Sequence, residues 1–437
     1  MTAAALMFPL LFMFILAGIP IALSLTIVSA GAGFLVFGPN VFAQLFGSFY
    51  SAATNFILAA IPMFVLMGAI LERSGIAERL FKVMQLWLGR LPGGLAVATI
   101  AMGAIFAAAA GVVGAVEVMI GMMAIPAMQR FRYSNSLISG TICAGGSLGT
   151  MIPPSVIAVM YASLAQMSVG ELLAGMMFPG LVMIVLFIAY LIVHGMLWPP
   201  EQTEAQSEMD LVSTAEKIRL TVTSLLPIFA LIFAVLGSLL AGIASPTEAA
   251  SVGALGALVL CIAYGRFSIP MLREALQITV RISAMILLIV AAGTMFMGTF
   301  AANGGSRMIR TAVESAGLGE AGIIIFFLVI VFLLGFVLDW TANVLICVPL
   351  FTPIIRQTGI DPVWFGTMVI VVIQTSYLTP PMASSIFYLK SIAPPDMTYG
   401  QMCRGVVPFI VLQLITLALV ACFPQLSTWL PDQIVGF

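Results

Sequence analysis

The stretch SLGTMIPPSVIAVMY, residues 147–161, has the apolar character of a membrane helix, yet Gly149 and the pair Pro153-Pro154 interrupt it. A second stretch, SYLTPPMASSIFYLK, residues 376–390, repeats the pattern around Pro380-Pro381. Proline removes a backbone donor and clashes with the preceding turn, so each stretch reads as a helix broken in its middle. In lipid the freed amides and carbonyls have no water to satisfy them. Such breaks persist only where they line a polar cavity or a bound ion.

The rest of the chain supplies the membrane. Of its 437 residues 62% are hydrophobic and 8% charged, and mean hydropathy is +1.19. A soluble domain carries about 25% charged residues. Apolar runs sprinkled with Gly, Ser and Thr fill almost the whole length, which indicates a helical bundle. A β-barrel would alternate apolar and polar over roughly 10 residues per strand. The first apolar run, residues 3–37, has no basic leader before it and is expected to stay on the protein. Net charge is −1 and names no partner; no nucleic-acid partner is expected. The five cysteines lack CxxC spacing and read as small buried hydrophobes. The single histidine, His194, stands near a helix end, where a ring satisfied at the interface is expected rather than a metal site.

The one long polar stretch, PPEQTEAQSEMDLVSTAEK at 199–217, holds five acids and divides two apolar halves. The halves match weakly but in order. IPP at 152–154 and TPP at 379–381 are 227 apart, as are Pro126 and Pro353. VGELLAG (169–175) matches YGQMCRG (399–405) at offset 230, and AGIPIALSL (17–25) resembles AGIASPTEAAS (241–251). Ordered matches at offsets of 224–230 indicate duplication. We therefore read residues 1–198 as a first repeat, with a hairpin at about 91–129 and a broken helix at 134–166. Residues 199–217 are a cytoplasmic linker. Residues 218–437 form a second repeat, with a hairpin at about 320–356 and a broken helix at 361–393. The amphipathic segments 42–52 and 271–283 take matching places along the interface.

Charge orients the repeats. Arg79, Lys82 and Arg90 precede the first hairpin run and Arg130 and Arg132 follow it, so both its ends face one side. Its tip falls near Gly111–Gly114, and that of the second near Asp339–Asn343. With both runs re-entrant, 13 of the 16 Lys/Arg fall on one face and only Arg307, Arg310 and Arg356 on the other. The positive-inside bias makes the first face cytoplasmic. The two repeats are then inverted, and both termini lie on the non-cytoplasmic side. Inverted repeats with paired interrupted helices mark the midplane binding site of a secondary transporter.

The breaks offer hard, neutral oxygens, which suit Na⁺ or a polar solute and not soft metals. At the first stand Gly146, Gly149, Ser147, Thr150 and Ser155; at the second, Gln374, Thr375, Ser376, Thr379, Ser384 and Ser385. Gly146, Gly149, Thr375, Ser376 and Thr379, with Asp339, Thr341 and Asn343 of the second tip, are the sodium candidates. Ser147, Thr150, Ser155 and Ser384 are the substrate candidates. Half-helix C-termini would turn carbonyls to the cation and N-termini amides to an anion. Three acids stand in apolar context. Asp339 is either part of the site or the cap of the helix after it. Glu248, just after Pro246, reads as a first-turn acid held by the helix dipole. Glu117 reads either as a cavity-facing proton or ion carrier or as a paired structural acid. No catalytic residue is assigned. Apart from His194 no histidine is present for a nucleophile or HExxH arrangement, and only one intramembrane Asp for an aspartyl pair.

Four stretches carry a resemblance over essentially the whole length: GIASPTEAA (242–250), LGTMIPPS (148–155), PLFTPIIRQTGIDPVWFG (349–366) and LTPPMASSIFYLK (378–390). With them the chain resembles the large membrane subunit of the TRAP (tripartite ATP-independent periplasmic) transporters. The resemblance implies an all-α polytopic protein of a prokaryotic inner membrane, built as inverted repeats and working as an elevator. It implies Na⁺ as coupling ion with no other cofactor, and an organic acid delivered by a soluble periplasmic binding protein. It also implies a small four-helix membrane subunit as partner, not contained in this chain. The family often has Ser-Gly-Ser-Ser at the first hairpin tip, where this chain reads Ala110-Gly111-Val112-Val113, and a small residue where Glu117 stands. Sodium at that tip would have to be held by backbone carbonyls, of Gly111, Val112 and Gly114. Otherwise stoichiometry or coupling differs. A stand-alone ion-coupled carrier or an ion/proton antiporter of related fold is the alternative.

Overall fold

The structure is a computed structural model that describes residues 2–110, 114–199, 213–315, 317, 319–381 and 383–434. Among these residues all regular structure is helical. Six helical stretches are long and apolar enough to cross a membrane, or seven if the pair Ile57–Arg73 and Ile76–Leu88, bent by 67°, is one span.

The chain opens with α1 (Thr2–Leu16), α2 (Ile21–Phe37), α3 (Val41–Ala53), α4 (Ala60–Arg73) and α5 (Ile76–Leu88). Two antiparallel helices follow, α6 (Gly94–Ala110) and α7 (Ala115–Arg130). Next come α8 (Asn135–Ser147) and α9 (Val156–Ala165), separated by the first Pro-Pro pair, and then the long α10 (Val169–Leu197). Of the expected linker 199–217, residues 200–212 lie outside the described residues and 214–217 already belong to α11 (Thr214–Leu240), which is followed by α12 (Pro246–Ala263), α13 (Ile269–Ala302) and α14 (Gly305–Ser315). A second helix pair, α15 (Glu320–Leu334) and α16 (Trp340–Thr358), precedes α17 (Pro362–Leu378) and α18 (Ser384–Lys390), which flank the second Pro-Pro pair. The chain closes with α19 (Tyr399–Cys422) and α20 (Gln425–Ile434).

Local chemistry sets many of these starts. Ser134, Ser168, Ser213, Ser245, Ser268, Asp339, Asp361 and Thr398 each accept a hydrogen bond from an amide of the first turn they precede. That satisfies one of the amides a helix start leaves bare. Glu248 has the structural task expected of it: Ser245 N–H donates to its carboxylate at 2.8 Å while Ser245 Oγ accepts from Glu248 N–H, a complete capping box.

The second amphipathic segment differs from expectation. Residues 271–283 are the first third of the 34-residue α13, which runs on unbroken into an apolar span, whereas 42–52 lie in the separate helix α3. No proline or glycine interrupts 271–292, so nothing stops the helix. His194 also differs. Its ring packs between Tyr190 and Trp198, but its Nδ1 is buried without a hydrogen-bond partner among the described residues.

Packing places the breaks at the centre. The pair α6/α7 flanks α8, and α15/α16 flanks α17. Across the halves α7 touches α18 and α16 touches α9, while α8 lies along α19 and α10 touches α17. Outside this group α2 packs along α13 and α4 along α12; α4, α5 and α13 reach the helix pairs.

Candidate functional site

At the first break α8 ends in a tight turn, Leu148–Thr150, before Pro153-Pro154. Ser147, Thr150 and Ser155 are all fully buried. Their hydroxyls donate to the carbonyls of Ala144 (2.8 Å), Ser147 (2.8 Å) and Thr150 (2.7 Å). At the second break Thr375, Ser376 and Thr379 donate to the carbonyls of Val371 (2.8 Å), Ile373 (2.8 Å) and Thr375 (2.7 Å). Each hydroxyl thus spends its proton on its own chain; apart from Ser147, whose oxygen also accepts hydrogen bonds across the halves, these oxygens keep their lone pairs, which is the state in which a hydroxyl ligates a cation.

The two breaks meet. Gln374 Nε2 donates to Ser147 Oγ (3.2 Å) and to Met183 Sδ (3.2 Å), and Gln413 Nε2 donates to the same Ser147 Oγ (3.4 Å). Gln374 and Gln413 are fully buried, and among the described residues their Oε1 atoms have no partner.

The α15–α16 connection folds onto the second break. Gly335 lies so close to Ser376 that a Cβ on it would overlap the Ser376 side chain. A cavity of about 10 Å³, room for about one water-sized particle, is lined there by Gly335, Leu338, Asp339, Trp340, Ile373, Ser376, Tyr377 and Ser384. Of the sodium candidates this brings Asp339 and Ser376 together, and Ser384, a substrate candidate, joins them. The remaining candidates stand elsewhere. Asp339 also caps α16, accepting from Thr341 N (3.1 Å) and Ala342 N (3.4 Å). Asn343 is engaged inside its own helix pair, donating to Val331 O (2.9 Å) and accepting from Cys347 Sγ (3.2 Å). Thr341 Oγ1 is buried with no partner among the described residues. Thr375 and Thr379 sit in the turn beside the cavity without lining it.

On the other pair, Gly111 and Val112 lie outside the described residues. Gly114 has a left-handed φ of +93°, and a Cβ on it would press against the Tyr388 ring. Gly149 lies buried in the turn after α8. Gly146 faces Glu117 so closely that a Cβ on it would occupy the place of Glu117 Cγ. Glu117, fully buried, accepts from Ser385 Oγ (2.7 Å) and Tyr377 OH (3.0 Å), which bracket the second Pro-Pro pair. Sequence reading leaves Ser385 without a partner and passes over Tyr377, Gln413 and Met183. Gln413, a lone amide in the apolar run IVLQLITL, carries a readable signal. Tyr377 carries none, since its value comes from a contact 260 residues away.

Residues 8–426 match the family model of the DctM component of the tripartite ATP-independent periplasmic transporters. Curated relatives align along nearly their full lengths. The C4-dicarboxylate TRAP transporter large permease protein DctM of Pseudomonas aeruginosa is 29% identical over 93% of this chain and 93% of its own. The ectoine/5-hydroxyectoine large permease protein UehC of Ruegeria pomeroyi is 30% identical over 98% and 99%. The sialic acid large permease protein SiaM of Vibrio cholerae is 28% identical over 96% and 96%. Among solved structures, the YdaH transporter of Alcanivorax borkumensis shares the fold with a TM-score of 0.64 at 15% identity, covering 96% of this chain and 99% of its own. MtrF of Neisseria gonorrhoeae, of a class of antimetabolite efflux pumps, has a TM-score of 0.64 at 15% identity, covering 88% of this chain and 84% of its own.

Proposed function

We infer, on the premise that this chain belongs to the DctM family and is the large permease subunit of a tripartite ATP-independent periplasmic transporter, that it imports an organic acid anion driven by a Na⁺ gradient. The family works with a small membrane subunit and a periplasmic binding protein; here these are a four-helix subunit and a soluble receptor that delivers the anion. The relatives' named solutes, C4-dicarboxylate, ectoine and sialic acid, each carry a carboxylate. The protein sits in the inner membrane of a prokaryote with both termini periplasmic. Residues 1–198 and 218–437 are inverted repeats whose helix pairs are re-entrant hairpins, and the hairpin group moves as an elevator against the outer helices. The broken ends and their hydroxyls, with Asp339, Thr341 and Asn343 of the second hairpin, form the sodium-binding region. Gly111, Val112 and Gly114 serve the first hairpin through their carbonyls, and Ser147, Thr150, Ser155 and Ser384 face the substrate.

One observation carries the reading. Ser147 and Gln374 are 227 residues apart, the same offset as the two Pro-Pro pairs, and they hydrogen-bond each other. Matching points of the two halves therefore meet. The flanking contacts are related in the same way: Ser147 accepts from Gln413, and Gln374 donates to Met183, whose counterpart at offset 230 is Gln413. A two-fold axis through this contact accounts for both. Neutral oxygens gathered at broken helix ends beside such an axis suit a small hard cation and an anion together.

The test is uptake in proteoliposomes holding this chain with both partners. Uptake should require an inward Na⁺ gradient; equal uptake with K⁺ in place of Na⁺ at fixed pH would contradict the reading.

A further inference from the structure

The cavity beside the second break is tied to the opposite half of the chain. Two of its lining residues, Tyr377 and Ser384, stand on either side of Pro380-Pro381. Tyr377 OH donates to Glu117 Oε2 at 3.0 Å. Ser385, next to Ser384 in the first turn of α18, donates through Oγ to Glu117 Oε1 at 2.7 Å. One carboxyl group thus takes a hydrogen bond from each limb of the break. Glu117 itself does not line the cavity.

The backbone is arranged to let this side chain through. Glu117 leaves the first turn of α7, and both α7 and α18 pack on α8. Gly146 of α8 is bare where Glu117 Cγ passes, and a side chain there would take its place. The arrangement has no twin in the other half. At the 227-residue offset Val344 corresponds to Glu117 and Ile373 to Gly146, and both are buried and apolar. The acid and the glycine that admits it occur together on one side only, the side whose contacts end at the cavity.

The size of the cavity gives the tie its consequence. About 10 Å³ admits one water-sized particle, and the ligands of a bare cation stand within about 0.2 Å of their places. Tyr377 belongs to the last turn of α17 and Ser384 opens α18, so two helix ends have to keep one spacing. Groups that hydrogen-bond the walls of an ion site, without touching the ion, set such spacings.

We propose that Glu117 is a positioning residue for the cation site at the second break: it ties Tyr377 to Ser385 across Pro380-Pro381 and so fixes the cavity in which Asp339 and Ser376 meet. The task requires two hydrogen-bonding atoms at set places, and the cation does not touch Glu117. The inference rests on the sodium reading above.

Thermal melting of the purified full-length chain in detergent, with NaCl replacing KCl stepwise at constant ionic strength and pH, reads the site without substrate. An ion that binds the folded state raises the melting temperature once its concentration passes its dissociation constant. The onset of the rise reports Na⁺ affinity, and melting in KCl alone reports stability. Glu117→Ala should move the onset up about 10- to 100-fold. Tyr377→Phe, which loses one tie and keeps the ring, should move it up less. The double variant should go no further than Glu117→Ala, because the bond between the two is already gone. Glu117→Gln should restore most of the affinity, since rotated hydroxyls can meet both atoms of the amide. An onset unchanged in Glu117→Ala and Tyr377→Phe, with only the melting in KCl lowered, makes Glu117 a structural acid and overturns the proposal. So does a double variant whose shift is the product of the single ones, or a Glu117→Gln onset as high as that of Glu117→Ala, which makes charge the requirement. If Glu117→Ala does not fold, Tyr377→Phe and Ser385→Ala decide by the same onset. With both partners, the Na⁺ concentration for half-maximal uptake should rise in the same order with maximal uptake kept; a lower maximum at unchanged half-saturation overturns the proposal. A wild-type chain that melts alike in NaCl and KCl overturns the sodium reading itself, and the proposal with it.

Discussion

Thr375 and Thr379 stand where the second broken helix ends, each hydroxyl donating to a carbonyl one turn back. Removing such an oxygen keeps the backbone and deletes one proposed sodium ligand. Loss of one buried liganding or hydrogen-bonding group costs about 1–3 kcal/mol, or roughly one to two decades in an equilibrium constant. Thr375→Ala and Thr379→Ala should therefore raise the Na⁺ concentration for half-maximal uptake about ten- to hundredfold with expression intact. Thr223→Ala, whose exposed hydroxyl bonds only within α11, should leave it unchanged. An unaltered half-saturation in both site variants would make the second break a structural kink. Gly146 makes a complementary case. A methyl there collides with Glu117, and overpacking of this kind costs about 1–3 kcal/mol. Gly146→Ala should lower the melting temperature in detergent, and Glu117→Ala added to it should recover part of the loss. No recovery would mean that the two side chains do not share the space. Residue type and context made the hydroxyls and Asp339 legible in the sequence. The partners of Glu117 were not, because Tyr377 and Ser385 reach it only through tertiary packing.

Helices and breaks were the most legible elements, since Pro-Pro pairs and Ser or Asp caps act locally. The structure adds what local rules omit. Residues 271–283 carry an amphipathic pattern like 42–52, yet with no breaker after them they continue into one long helix. One close helix crossing was likewise unreadable. A Cβ on Gly140 of α8 would overlap the backbone of Gly405 in α19, and one on Gly405 would overlap Ser136 O. Two glycines in apolar helices are common, and only the fold shows that these two face each other. Small residues let helix backbones approach where lipid supplies no hydrophobic drive. Gly405→Val should force α8 and α19 apart and lower the yield of folded, monodisperse protein severalfold. Gly400→Val, with nothing near its Cβ position, should not. Equal behaviour of the two would show that the crossing does not hold the core together.

At the scale of the molecule, the order of elements and the 227-residue offset could be read from the sequence. Contacts between the halves could not. Trp87 Nε1, for instance, donates to Thr221 Oγ1 at 2.9 Å, tying α5 to α11 across the linker. Nothing in either segment's composition announces it. The central claim is that two halves of opposite orientation present their helix pairs from opposite faces. Cysteine labelling tests it most directly. In a cysteine-free background, since Cys403 and Cys422 are partly or fully exposed, single cysteines replace Leu91 and Arg132 at the ends of α6/α7, and Gly319 and Gln357 at the ends of α15/α16. With a membrane-impermeant thiol reagent on intact spheroplasts, positions 319 and 357 should both label and 91 and 132 should both stay protected until the membrane is opened. Labelling of all four from one side would contradict inverted repeats, and with them the site built between the two breaks.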